Sequence, residues 1–151
     1  MADNMTWTSE QKQVIDLRDR SLLVSAAAGS GKTAVLVERI IRMITDPDQP
    51  VDIDRLLVMT FTNAAAGEMR LRIGEALGRA AREDPALGEQ LMALPRASIS
   101  TLHRFCGSLL RENFQALGID PGFRIGDEQE CGVLSRQAME DAIYSCYEVG
   151  S

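Results

Sequence analysis

The chain has 151 residues, 45% of them hydrophobic and 25% charged, with a formal net charge of −6. That is one domain's worth of sequence with enough apolar side chain to bury a core, and no apolar run nears the roughly 20 residues of a membrane span. The start, Met1-Ala2-Asp3-Asn4, lacks the basic-then-apolar order of a secretory signal, so a cytoplasmic protein without membrane partners is expected.

Thr8-Ser9-Glu10-Gln11-Lys12-Gln13-Val14-Ile15 opens a helix, with Thr8 or Ser9 as its cap and acidic Glu10 in its first turn. Arg18-Asp19-Arg20-Ser21 is a polar connection, and Leu22 to Ser25 predicts the first strand. A small-residue loop, Ala26-Ala27-Ala28-Gly29-Ser30-Gly31-Lys32-Thr33, leads into a helical pattern that runs from Ala34 to about Thr45. Asp46-Pro47-Asp48-Gln49-Pro50 stops that helix. Leu56 to Phe61 is an apolar run of strand length, expected to be buried on both faces. A helix then starts near Ala64, with Met69 and Ile73 four apart, and lasts beyond Ala80 until Asp84-Pro85 breaks it. A short helix near Leu87 to Leu94 ends at Pro95.

Ala97 to Leu102 alternates small polar and apolar residues and predicts a third strand. The next helix starts at His103 and runs through Leu109, Leu110 and Phe114 to Gly118; Asp120-Pro121-Gly122 turns the chain. Phe123 to Ile125 is extended, and Asp127 to about Tyr147 is helical. Strand then helix, three times over, predicts an α/β fold: a parallel sheet flanked by helices, with right-handed crossovers and a mostly helical C-terminal extension. Ligands of such sheets sit at the carboxyl ends of the strands, where the Gly-rich loop, Thr60 to Asn63 and Thr101 to His103 would meet.

The loop between Ala26 and Thr33 carries the most specific chemistry. Strand, small-residue loop, Gly-Lys-Thr and helix is the setting of a phosphate-binding P-loop. Glycines at 29 and 31 let backbone N–H groups approach phosphate oxygens with no Cβ in the way. The helix start adds unpaired N–H groups and the positive end of its dipole. Lys32 places a charge on the β- and γ-phosphates, and the Thr33 hydroxyl holds Mg²⁺. The ATP cradle is therefore expected to comprise Ala28, Gly29, Ser30, Gly31, Lys32, Thr33 and Ala34. Ala26 stands where the usual pattern has its first glycine, and it fits if its φ is negative. The plain alternative is a Gly-rich turn before a helix, which does not call for Gly-Lys-Thr.

Charge neither supports nor excludes a polynucleotide partner. Residues 120–151 hold seven acidic and two basic residues, and the first 119 are nearly neutral, so the surplus lies away from the loop. Cys106, Cys131 and Cys146 are widely spaced, without zinc-site spacing, and are expected as reduced thiols, Cys106 in the core.

Three stretches together resemble a known family. Trp7-Thr8-Ser9-Glu10-Gln11 before a P-loop resembles the Q motif of superfamily 1 helicases of the UvrD/Rep type. Thr60-Phe61-Thr62-Asn63-Ala64-Ala65-Ala66-Gly67-Glu68-Met69-Arg70 is similar to their motif Ia, and Ser100-Thr101-Leu102-His103-Arg104-Phe105-Cys106 to motif Ib. Within the family the resemblance is strongest to the AddA type, helicase–nuclease subunits that bacteria use on broken DNA ends. Ala64 in place of a common lysine, Ser25-Ala26-Ala27-Ala28 before the glycines, and the stretch from Asp120 to Glu130 carry that narrower likeness.

The resemblance implies a RecA-like P-loop NTPase sheet, incomplete here. Residues 1–119 would be the N-terminal part of motor domain 1A and residues 120–151 the start of a helical insertion. The Walker B strand of motif II and all later motifs are missing, and Asp127-Glu128 does not replace them, because no buried apolar strand leads into it. The expectation is an N-terminal piece of an ATP-dependent DNA helicase, inactive alone. In the whole protein the resemblance implies 3′→5′ translocation on single-stranded DNA, an associated exonuclease, processing of duplex ends, and a second subunit of the AddB type.

Residue by residue, Gln11 would pair its amide with both edge groups of adenine; without the loop that follows it would read as a solvated glutamine. Arg39, two turns into the P-loop helix, could reach the nucleotide or lie on the surface. Phe61 would stack on an unpaired base, although periodicity alone makes it a core aromatic. Thr60, Thr62 and Asn63 would bond the sugar–phosphate backbone. His103, beside Thr101 at the same edge, would contact DNA, although a single histidine is commonly structural or exposed. Met69 and Arg70 are assigned to packing and to the surface. A reading of another class stays open: a P-loop nucleotide-binding module or regulatory ATPase without nucleic acid.

Overall fold

The structure, a computed structural model, describes residues 6–27 and 29–149. It contains two compact units that divide between Ser108 and Leu109.

The first unit begins with α1, Ser9–Asp16, whose start is fixed by a capping box. The Gln11 N–H donates to Thr8 Oγ1 at 3.3 Å, and the Thr8 N–H donates to Gln11 Oε1 at 2.9 Å. These bonds satisfy two donors that a helix start leaves without partners. Helix α2, Lys32–Ile44, follows the Gly-rich loop and presents Val37, Ile40 and Ile44 to the core. Strand β1, Leu57–Thr60, leads into α3, Asn63–Glu83, capped by Thr62, whose Oγ1 accepts from the Ala65 N–H at 3.1 Å. Asp84-Pro85 ends α3 as its chemistry requires: Asp84 Oδ1 accepts from the Ala86 N–H at 3.0 Å and closes a tight turn. Helix α4, Gly88–Ala93, and a 3₁₀ turn over Leu94–Arg96 return the chain to β2, Ser98–Thr101.

Strands β1 and β2 pair in parallel, with Leu57 opposite Ser98 and Thr60 opposite Thr101. The connection runs through α3, so the unit is a βαβ crossover with α3 packed on the sheet and α2 packed on α3. The core lies between them: Ile53, Ile73 and Leu77 are fully enclosed, with Val58, Met69, Leu94 and Ile99 around them.

Two expectations fail here. Leu22 to Ser25 forms no strand, and Leu23 is 98% exposed. A strand exists only through its ladder, and among the described residues no segment pairs with this one; apolar sequence alone cannot supply the partner. The described sheet accordingly has two strands and not three. The run through Leu57 and Met59 is buried on one face only. Val58 points into the core, while Leu57 and Met59 stay 45% and 43% exposed, because no helix among the described residues covers their side.

The second unit starts within helix α5, Leu102–Glu112, and includes α6, Phe114–Leu117, and α7, Glu128–Val149. The single helix expected from His103 to Gly118 is thus two, parted at Asn113, whose Nδ2 bonds the Leu109 carbonyl at 2.8 Å. Gly118 closes α6 at φ +64°, a left-handed position that favours glycine. Arg124 forms a two-pronged ion pair with Glu130 at the start of α7, and that pair holds the Glu130 carboxyl below its ordinary range. All three cysteines are unpaired and exposed, which corrects the core placement of Cys106. On α5 only Gly107 is buried.

Candidate nucleotide and nucleic-acid site

The Gly-rich loop is shaped by its glycines. Gly29 and Gly31 take φ of +78° and +79°, conformations that a side chain would strain. Between them the Ser30 N–H donates to the Ala27 carbonyl at 3.3 Å, tightening the turn. Gly31 is the N-cap of α2 and brings no side chain to its first N–H groups, so the helix start is left as a ready anion seat. Among the described residues Asp19 is the one non-glycine with positive φ, so Ala26 meets the condition that lets alanine stand at the loop's start. Ala28 lies outside the described residues.

Lys32 folds back over this loop. Its ammonium donates to the Ala26 and Ala27 carbonyls at 2.8 and 2.6 Å. A cation held by two carbonyls on the loop's rim is positioned for an anion entering the loop, and it must give up those bonds to follow one. Thr33 and Ala34 form the first turn of α2. The donor set of backbone N–H groups, one ammonium and one hydroxyl fits a nucleotide's phosphates. Among the described residues no group of three or more His, Cys, Asp or Glu could hold a metal ion, so a Mg²⁺ here would rest on Thr33 and on the phosphates themselves.

Gln11 is placed against the same loop. While its Oε1 serves the capping box, its Nε2 donates to the Ser30 carbonyl at 3.2 Å. Each end of the amide keeps one further hydrogen-bonding position, one lone pair and one N–H. Arg39 points elsewhere: its Nη1 donates to the Val14 and Ile15 carbonyls, the second at 3.5 Å, and fastens α2 to the C-terminal end of α1. Burial and the neighbouring Arg18 lower its pKa from the ordinary arginine value.

The parallel register brings the other predicted residues to one edge. Thr60 lies opposite Thr101, so Phe61 and His103 both follow at the carboxyl end of the sheet. A cavity of about 400 Å³ lies there, lined by Met59, Thr60, Phe61, Thr101, Leu102 and His103. Phe61 is fully exposed at 105%, against the core placement that periodicity alone would give. The hydroxyls around it already serve the backbone: Thr60 Oγ1 donates to the Thr62 carbonyl at 3.0 Å, and Thr101 Oγ1 accepts from the Arg104 N–H at 3.4 Å. Asn63 is exposed at the first position of α3.

One residue assigned to the surface is not there. Arg70 is partly buried, and its guanidinium bonds the carbonyls of Leu94, Ala97 and Ile99 at 2.7, 3.3 and 3.0 Å. Its spacing carried a signal, since Arg70 falls in step with Ala66, Ile73 and Leu77 on the buried face of α3.

The profile described as UvrD/REP helicase N-terminal domain matches residues 7–148. This chain belongs to the UvrD/REP helicase family. The three relatives that follow share more than half of their aligned residues with the chain. Each bears the name of an ATP-dependent helicase/nuclease subunit. The protein from Clostridioides difficile is 55% identical over 145 residues, which is 94% of this chain and 11% of its own length. The protein from Desulforamulus reducens is 59% identical over 138 residues, 89% of this chain and 11% of its own. The protein from Acetivibrio thermocellus is 53% identical over 151 residues, 98% and 12% respectively. The chain therefore spans about one ninth of the length of the curated relatives it matches. No helix among the described residues is long and apolar enough to cross a membrane.

Proposed function

We propose that this chain is the N-terminal part of the first motor domain of an ATP-dependent DNA helicase with an associated nuclease. In this reading residues 1–119 belong to the RecA-like motor and residues 120–151 begin a helical insertion. Gly29, Ser30, Gly31, Lys32, Thr33 and Ala34 bind the phosphates, with Ala28 completing the loop. Lys32 leaves the Ala26 and Ala27 carbonyls for the β- and γ-phosphates. Thr33 would hold Mg²⁺ through its hydroxyl, and the ion would offset the phosphate charge. Gln11 uses its remaining donor and acceptor on adenine, which selects ATP over GTP. Arg39 contributes by fastening α1, and hence Gln11, to α2; direct contact with the nucleotide needs its side chain to turn.

The observation that carries the reading beyond nucleotide binding is Phe61. Its ring lies wholly in solvent at a strand end, beside a cavity that also holds His103, and so offers an open surface for a planar face to stack on. Single-stranded DNA supplies that face, with Thr60, Thr62, Asn63, Thr101 and His103 along its sugar–phosphate path. The names of the relatives support the nuclease and an assembly of more than one kind of chain. Family resemblance supports a second subunit of the AddB type, 3′→5′ movement, duplex ends as substrate and a cytoplasmic place in double-strand-break repair.

Titration of labelled single-stranded DNA into the protein at its full natural length tests this. Saturable binding that weakens with salt is expected, and Phe61→Ala should lower it by about 1–3 kcal/mol. A protein that binds MgATP but no single strand would be a nucleotide module or regulatory ATPase instead.

A further inference from the structure

The guanidinium of Arg70 meets three carbonyls along the stretch that leads into β2. Leu94 opens a 3₁₀ turn, Ala97 precedes β2, and Ile99 lies within β2 opposite Val58. Among the described residues no third strand lies beyond β2. Arg70 therefore ties down, from α3, the stretch that delivers Thr101, Leu102 and His103. Its own helix begins at Thr62 and Asn63, eight and seven residues earlier, about 12 Å along the axis. One wall of the 400 Å³ cavity, Met59 to Phe61, comes from β1 and the turn that leads into α3, and the other, Thr101 to His103, from the end of β2 and the start of α5; Arg70 joins α3 to β2. The planar fork of arginine suits several acceptors in fixed directions, and a lysine ammonium does not span three.

We propose that Arg70 is a positioning residue of the strand-end site: it sets the placement of Thr101 and His103 relative to Phe61 without touching nucleic acid. This rests on the reading of that edge as the single-strand site. The test measures single-strand affinity for wild type, Arg70→Lys and Arg70→Met at full natural length, at a temperature where circular dichroism shows each folded. Salt dependence and MgATP affinity are recorded alongside. Arg70→Met should lose roughly tenfold in single-strand affinity. Arg70→Lys should fall between it and wild type, and it carries the test if Arg70→Met does not fold. The slope of log affinity against log salt should stay at its wild-type value and MgATP affinity should not move, since no phosphate contact is removed. Unchanged affinity in a folded variant would overturn the proposal and leave Arg70 a scaffold residue. A slope smaller by about 0.7 would overturn it in another way, by making Arg70 a direct phosphate ligand. A wild-type protein without single-strand affinity would instead overturn the reading of the edge itself.

Discussion

Single residues carry the chemistry, and several do two things at once. Gln11 caps α1 through Oε1, bonds Ser30 through Nε2 and still has the donor and acceptor that adenine requires. Gln11→Ala should therefore weaken ATP more than GTP, a difference that competition of each nucleotide against a fluorescent ATP analogue reads directly. Equal losses would leave Gln11 a cap and loop support only. Its place near the loop was read from the stretch Trp7 to Gln11 that precedes the Gly-rich loop, whereas its capping-box bond to Thr8 was not. The task of Arg39 was not legible either, since a carbonyl contact 25 residues away leaves no mark on a helical pattern. Phe61 shows the limit of periodicity from the other side: a hydrophobic residue at the end of an apolar run counts as core unless its motif says otherwise.

At the scale of elements, helices were read well and strands less well. The start of α1, both bounds of α3 and the end of α6 follow from Thr8, from Thr62 with Asp84-Pro85, and from Gly118, all of them local signals, whereas the break at Asn113 that parts α5 from α6 was not read. Strands depend on partners far along the chain. Leu56 to Phe61 and Ala97 to Leu102 find each other through α3, whereas Leu22 to Ser25 is also apolar and has no ladder among the described residues. Helix α3 is the central element of the first unit: it packs on both strands, on α2 and on α4. Leu77, fully buried on its inner face, is the most direct probe of that role. Leu77→Ala should cost about 2–5 kcal/mol of stability, read as a lower urea midpoint with an unchanged slope. A loss under about 1 kcal/mol would mean that the core around α3 is not the one described.

At the scale of the whole molecule two candidate sites matter together: an anion seat at the start of α2 and an exposed edge at the ends of β1 and β2, proposed above as the single-strand site. Each alone is common. Their conjunction in a chain of the UvrD/REP family is what makes a DNA-driven motor the best reading, with Lys32 as the group on which the nucleotide half depends. The most direct measurement is ATP hydrolysis at full natural length, with and without single-stranded DNA, for wild type and Lys32→Ala. The account predicts hydrolysis stimulated by the strand in wild type, and loss of nearly all of it in Lys32→Ala while single-strand binding persists. Near-normal turnover in Lys32→Ala would contradict the account, because the loop over Gly29 to Thr33 would then not be where ATP is held.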